Sequence, residues 1–136
     1  MLRITLRDGE KVIINGAVLV ARGRTEFALE NKCTVLRGRD IMQPEEATTP
    51  VRDLYFSCQM AYIEPERRED HQDRLLEAMR LILAAPAGPE TVQDAVTVSQ
   101  RVAAGDYYGA LMLCRKMITD EDEAAAQAQP ELAGAA

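Results

Sequence analysis

The sequence predicts an α+β fold in which an N-terminal antiparallel β meander is followed by a C-terminal bundle of about three helices. The first half contains short segments of alternating apolar and polar residues separated by turn dipeptides. After Glu64-Pro65 the apolar residues recur instead at helical spacing. A chain of 136 residues, of which 47% are hydrophobic, can bury one core, and with 4% aromatic residues that core must be largely aliphatic.

The β-rich part is defined by its turns. Asn15-Gly16 separates two apolar segments and suits a type I′ hairpin, in which both central residues have positive φ. Two further turns are expected at Arg22–Arg24 and at Asn31-Lys32. Turns at intervals of about eight to ten residues indicate an antiparallel meander. The expected strands are LRITL (2–6), KVII (11–14), AVLV (17–20), TEFALE (25–30) and CTVLR (33–37).

A linker with the sequence RDIMQPEEATTPVRDLYF covers residues 39–56. Pro44 and Pro50 bracket an acidic, polar run without apolar periodicity. Directly afterwards the apolar residues alternate, which predicts one long final strand that ends the β-rich part, residues 1–63. The alternating residues are Leu54, Phe56, Cys58, Met60 and Tyr62.

The helical part is expected to span residues 64–119 and to pack on the strands. Its first helix begins near Pro65 and ends before the Pro86–Pro89 segment, because proline and glycine interrupt helices. A second helix is predicted from about Glu90 to Ala104, and Asp106 caps a third. The apolar faces are expected to consist of Leu75, Leu76, Met79, Ile82, Leu83, Val92, Ala95, Val96, Ser99, Val102, Ala103, Tyr107 or Tyr108, Leu111, Met112, Cys114 and Ile118.

The segment 120–136 is acidic at its start and then rich in alanine, with Leu132 as its only large aliphatic residue. Such a segment cannot offset the entropy of ordering by burial. We therefore predict a flexible tail, with the alternative that its start prolongs the third helix.

Sequence patterns typical of enzymes are missing. His71 is the only histidine and lies among charged residues, so a solvated surface position is expected. The three cysteines, Cys33, Cys58 and Cys114, lack the paired spacing of a metal site or disulfide framework and are expected as small buried groups. The sequence thus predicts a cytoplasmic binding module, not an enzyme, with no cofactor, metal or membrane segment.

The net charge of −6 is unevenly distributed. Residues 1–43 carry eight basic and five acidic side chains, whereas residues 119–136 carry five acids and no base. A mildly basic sheet can contact a sugar-phosphate backbone, although Phe27 is the only aromatic residue before Tyr55 on which a base could stack. Charges that merely aid solubility remain the alternative. The candidate RNA-binding residues are Arg22, Arg24, Lys32, Arg37 and Arg39.

The segment GDYYGALMLCRKM, residues 105–117, is similar to one helix of a tetratricopeptide unit. One unit is too little for a repeat array, which favours an ordinary helical hairpin. In the functional interpretation, Tyr107, Tyr108 and Leu111 form a docking face for a partner helix or peptide.

Three stretches taken together resemble the FlbT family of flagellin regulators from alphaproteobacteria. They are GEKVIINGAV (9–18), VLRGRDIMQPEEATTPVRDLYF (35–56) and GDYYGALMLCRKMI (105–118). The resemblance implies post-transcriptional control through the 5′ untranslated region of flagellin messenger RNA, affecting its stability or translation. It also implies a small partner regulator, FlaF, and leaves open whether the effect is repression or activation. Gly109 departs from the helix-favouring residue expected there, and glycine costs about 1 kcal/mol relative to alanine.

Two hypotheses follow. In the first, the basic residues bind the flagellin messenger leader, directly or with a partner. In the second, the helical half is a protein-interaction module or chaperone-like adaptor in flagellum assembly, and any effect on messenger RNA is indirect. A homodimer would bring two modest basic surfaces together, but the sequence identifies no interface.

Overall fold

The computed structural model describes residues 1–128. Within this range five strands precede four α-helices, so the predicted α+β class is confirmed, with one helix more than expected. The strands are β1 (Leu2–Leu6), β2 (Lys11–Ile14), β3 (Ala17–Val20), β4 (Thr25–Leu29) and β5 (Val35–Arg37). The helices are α1 (Pro50–Ile63), α2 (Arg68–Ala84), α3 (Pro89–Ala103) and α4 (Tyr107–Ala128).

All strand pairings are antiparallel, as predicted, but they do not follow chain order. One sheet pairs β1 with β4, and the other has the order β3-β2-β5. The Asn15-Gly16 hairpin between β2 and β3 is confirmed, since φ is 50° at Asn15 and 83° at Gly16. Strands β1 and β4 thus pair with each other although the whole β2–β3 hairpin separates them in the sequence.

Strand β2 is buried on both faces and joins the two cores of the molecule. Val12 lies in a small core between the two sheets, with Ile4, Leu6 and Ala21. Its neighbour Ile13 points the other way, into the larger core formed with the helices. Adjacent strand residues point to opposite faces, so one strand supports both cores.

The predicted long strand over residues 54–62 is wrong, because these residues belong to α1. Pro50 occupies the first helical turn, and the side-chain oxygen of Thr49 accepts a hydrogen bond from the Arg52 N–H at 3.2 Å. The helix is buried on nearly all sides, and even Ser57 and Gln59 are enclosed. A helix without a solvent face has no clear apolar period, so the alternation of its large residues was coincidental.

The other helices begin and end close to the predicted residues, but four residues of the predicted apolar faces are exposed and not buried, namely Leu76, Leu83, Val92 and Val96. The predicted tail differs, because α4 continues to Ala128. Its acidic part is tied to α1, where Arg52 contacts Glu121 at 2.8 Å and Asp122 at 2.7 Å. The start of the segment therefore prolongs the helix, and the prediction for residues 129–136 lies outside the described residues.

Smaller expectations can also be compared with the structure. Cys58 and Cys114 are buried as expected, and Cys33 is half-buried. His71 is less exposed than predicted, with 16% of its side chain accessible, and its imidazole lies 3.0 Å from a Glu64 carboxylate oxygen. Between residues 1 and 128, no helix combines the length and the apolarity required to cross a membrane.

Candidate nucleic-acid interface

Helix α1 holds the segment 35–42 through side chains that bind its backbone. The Tyr62 hydroxyl accepts a hydrogen bond from the Val35 N–H at 2.9 Å and donates one to the Val35 carbonyl at 3.1 Å. Tyr62 thus takes the place of a neighbouring strand at the free edge of β5. A phenol is protonated at neutral pH, as both bonds require, and burial raises the pKa of Tyr62 further.

Tyr55 makes a related contact two turns earlier on the same face of α1. Its hydroxyl donates a hydrogen bond to the backbone carbonyl of Asp40. Burial, followed by the nearby Asp40 carboxylate, raises the pKa of Tyr55 to about 12. The Asp40 carboxylate itself receives a hydrogen bond from Arg115 of α4 at 2.6 Å. Strand β5 and the start of the linker are therefore fixed by two helices.

The first turn of α4 brings two tyrosines to the same place. The Tyr108 ring is 47% exposed and lies 5.7 Å from the Tyr62 ring, centroid to centroid. Tyr107 is turned inward, and the guanidinium of Arg68 lies over its ring at 4.3 Å. The turn is fixed because the Asp106 carboxylate accepts the Gly109 N–H at 2.9 Å.

These elements enclose an open groove. Two adjoining depressions, of about 720 Å³ and about 360 Å³, share Cys33, Tyr62 and Tyr108 in their walls. We call this surface the tyrosine groove and define it by Lys32, Cys33, Arg37, Arg39, Tyr62, Arg68 and Tyr108.

The tyrosine groove is basic. Its rim carries four cationic side chains: Lys32, Arg37, Arg39 and Arg68. The two acids in its walls are already engaged, Asp40 with Arg115 and Asp106 as the cap of α4. Among residues 1–128, no salt bridge involves any of the four basic residues of the rim. The groove therefore offers positive charge beside an exposed aromatic ring.

The structure brings together only some of the residues predicted from sequence. Lys32, Arg37 and Arg39 line the tyrosine groove, together with Tyr108 from the proposed docking face. The sequence does not indicate that the predicted RNA-binding residues and the predicted docking residue Tyr108 lie on one surface.

The remaining predicted residues lie elsewhere. Arg22 and Arg24 are exposed at the β3–β4 turn, where the Gly23 N–H is bound by Asp8 at 2.7 Å, and neither lines the groove. Tyr107 is 5% exposed and Leu111 is fully buried, so both serve the core. Of the predicted docking residues, only Tyr108 presents a large surface.

Three residues of the groove, Cys33, Tyr62 and Arg68, are not among the predicted site residues. Tyr62 is one of the alternating residues that predicted a strand, and Arg68 lies among neighbouring charges that by themselves indicate no site. The spacing of Tyr55, Gln59 and Tyr62 would have indicated one polar stripe if the segment had been interpreted as a helix, because residues four and three apart share a helix face.

An acidic trio elsewhere holds a lysine. Glu90, Asp94 and Asp120 surround the Lys116 ammonium at 2.9, 2.9 and 3.0 Å. Hydrogen bonds led by the one to Asp94 raise the pKa of Lys116. The cation that these carboxylates need is thus supplied by the chain, and the cluster ties α3 to α4.

Fold and groove together define a small α+β protein with an open, basic, tyrosine-lined surface. The family model described as "Flagellar protein FlbT" matches residues 2–125. The chain therefore belongs to the FlbT family, as the three sequence stretches implied.

Curated relatives support the same assignment. The chain is 40% identical over 124 residues to "Flagellum biosynthesis repressor protein FlbT" of Caulobacter vibrioides, covering 90% of this chain and 87% of that protein. It is 35% identical over 122 residues to the "Probable flagellum biosynthesis repressor protein FlbT" of Agrobacterium fabrum, covering 90% and 82%. The protein of that name in Brucella anthropi is 34% identical over 135 residues, covering 99% and 89%. No solved structure matches the chain.

Proposed function

We propose that this chain regulates flagellin synthesis post-transcriptionally, by binding the 5′ untranslated region of flagellin messenger RNA and altering its stability or translation. Family membership supports a role in flagellar regulation, and the relatives' printed names assign repression to those proteins. We propose the same sign here, in the cytoplasm, with a FlaF-type regulator as a protein partner.

One observation supports RNA as the ligand, namely the three groove cations Lys32, Arg37 and Arg39 beside the exposed Tyr108 ring. Single-stranded RNA is bound by cations that neutralise phosphates and by aromatic rings on which unpaired bases stack. The scarcity of aromatics in the β-rich half argued against stacking, but the helical half supplies the rings. Arg22 and Arg24 are proposed as additional phosphate contacts outside the groove.

The alternative role as a protein-interaction module or adaptor is supported by a different surface. Leu76 is 62% exposed and Leu83 49% exposed on α2. Exposed apolar residues on a helix can bind a partner helix. In this case the effect on messenger RNA would be indirect.

The test is binding of the purified full chain to the flagellin 5′ leader from the same genome, against a scrambled leader of equal length, at two salt concentrations. We expect preference for the true leader and an affinity that falls with salt, because phosphate contacts release counterions. Tyr108→Ala should weaken binding by about 1 to 3 kcal/mol, the usual value of one base–aromatic stack.

Charge reversals locate the site. The double variant Arg37→Glu/Arg39→Glu should abolish specific binding. Arg3→Glu/Arg7→Glu is the matched control, since it changes the net charge equally at exposed positions outside the tyrosine groove. Equal losses in both variants would exclude the groove as the site. No preference for the true leader, with or without FlaF, would favour the adaptor role.

A further inference from the structure

Strand β3 is an unprotected sheet edge. It ends the β3-β2-β5 sheet, and Val18, Leu19 and Val20 are 61%, 46% and 53% exposed. Proteins usually protect such edges with charges, prolines, bulges or covering segments, because a free edge can pair with another strand. The sequence of β3, Ala-Val-Leu-Val, contains neither charge nor proline.

The free backbone groups of this edge can be assigned from the register. Ile14 lies opposite Ala17 next to the two-residue turn, and the Ala21 N–H donates to the Glu10 carbonyl at 2.9 Å. Inward and outward hydrogen-bonding residues alternate along an antiparallel strand. Ala17, Leu19 and Ala21 therefore point their backbone groups at β2, and Val18 and Val20 point theirs outward.

We propose that β3 pairs antiparallel with β3 of a second copy of this chain. A twofold axis perpendicular to the sheet makes corresponding faces of the two sheets continuous. Each odd-numbered residue must therefore lie opposite an odd-numbered residue of the second copy, and each even-numbered residue opposite an even-numbered one. Centring the axis at Leu19 places the two copies of Leu19 opposite each other, and Val18 opposite Val20 of the second copy. All outward N–H and C=O groups of Val18 and Val20 are then used, in four hydrogen bonds across the interface.

Charge complementarity at the ends of the pair favours a second copy as the occupant. In this register Arg22 of the second copy lies opposite Gly16. A methyl group added at Gly16 would lie 3.5 Å from the carbonyl oxygen of Ile63, so the turn rests against the negative end of α1.

The same end of the pair carries a carboxylate. Gly16, Val18 and Glu66 line one apolar groove of about 550 Å³, and Glu66 forms no salt bridge within residues 1–128. In the proposed dimer, Arg22 of each copy lies at the end of the pair where the other copy's groove carries Glu66, and we assign an ion pair between them.

The mass of the full chain in solution tests the pairing. Analytical ultracentrifugation at micromolar concentrations should show twice the chain mass of 15.1 kDa. Leu19→Lys places two ammonium groups opposite each other and should raise the dimer dissociation constant by at least about tenfold. Leu81→Lys is the matched control, because Leu81 is an exposed leucine on α2 with no assigned binding role, and it should leave the dimer intact.

A charge swap tests the register. Arg22→Glu and Glu66→Arg should each weaken the dimer, and the double variant should restore it. A monomeric wild type, or a Leu19→Lys variant that dimerises like the wild type, would overturn the pairing. A double variant whose dimer is no tighter than the dimers of the single variants would overturn the assigned register.

Discussion

The side-chain amide of Gln59 pairs with the backbone of Met42 as a neighbouring strand would. Its oxygen accepts the Met42 N–H at 2.6 Å and its nitrogen donates to the Met42 carbonyl at 2.9 Å. Gln59 is 2% exposed in the middle of α1. A buried polar group is costly unless its hydrogen bonds are made, and here both partners satisfy each other. The proline-bracketed linker is therefore anchored to α1.

Replacing Gln59 with leucine should destabilise the chain by about 2 to 3 kcal/mol, because both Met42 backbone groups lose their partner in a partly buried place. Urea unfolding of the two proteins measures the difference. Gln100→Leu, at an exposed position of α3 whose side chain forms no hydrogen bond to residues 1–128, is the matched control and should change stability little. Equal effects would show that the linker does not depend on this amide.

Tyr55 should make stability depend on alkaline pH. Its pKa is about 12 in the folded chain against 10.0 for a free tyrosine. A raised pKa stabilises the folded state fully below pH 10, and this contribution is lost as the pH rises through about 12. Tyr55→Phe should be less stable than the wild type by about 1 kcal/mol at neutral pH, through the lost bond to Asp40.

The difference between these two proteins should shrink as the pH increases and then change sign. At about 1.4 kcal/mol per pKa unit, the wild type should lose up to about 2 to 3 kcal/mol more than Tyr55→Phe between about pH 9 and pH 12. Denaturant unfolding across this range measures the change. A difference that stays constant with pH would contradict the assignment.

The effect of replacing Gly109 on stability should depend on whether Asp106 is present. A Cβ atom at position 109 would lie 2.2 Å from an Asp106 carboxylate oxygen, so alanine would displace the cap of α4. The gain in helix propensity and the loss of the cap are each about 1 kcal/mol and should nearly cancel. In an Asp106→Ala background no cap remains, and Gly109→Ala should then stabilise by up to about 1 kcal/mol.

A double-mutant cycle of unfolding free energies measures this coupling. Identical effects of Gly109→Ala in the two backgrounds would show that the glycine has no connection with the cap. A large loss in both would indicate a packing constraint on α4.

Each groove cation should contribute to the salt dependence of RNA binding. Removing one phosphate contact from a single-stranded ligand lowers the slope of log K against log salt by about 0.7. Lys32→Ala and Arg37→Ala should each show this change in leader affinity measured over a salt series. Arg7→Ala, at an exposed position just after β1 that does not line the groove, should leave the slope as it is. Unchanged slopes in all three variants would contradict phosphate contacts in the groove.

Local signals in the sequence determined the elements with distinct ends. The Asn15-Gly16 turn needs positive φ at both residues, which few other pairs tolerate, and it specified the β2–β3 hairpin. Likewise, Pro89 and Gly105 delimited α3. These features depend on backbone sterics within a few residues, so they can be predicted from the sequence without knowledge of the fold.

Tertiary structure alone decided the rest. Pairing of β1 with β4 joins segments that are distant in sequence, and nothing local marks that choice. Helix α1 was mistaken for a strand because burial on all sides erased the period that distinguishes the two. The tyrosine groove likewise depends on long-range packing, which places Tyr108 beside Tyr62 and the cations of residues 32–39. The sequence therefore determined which residues were available, and non-local packing determined which of them meet.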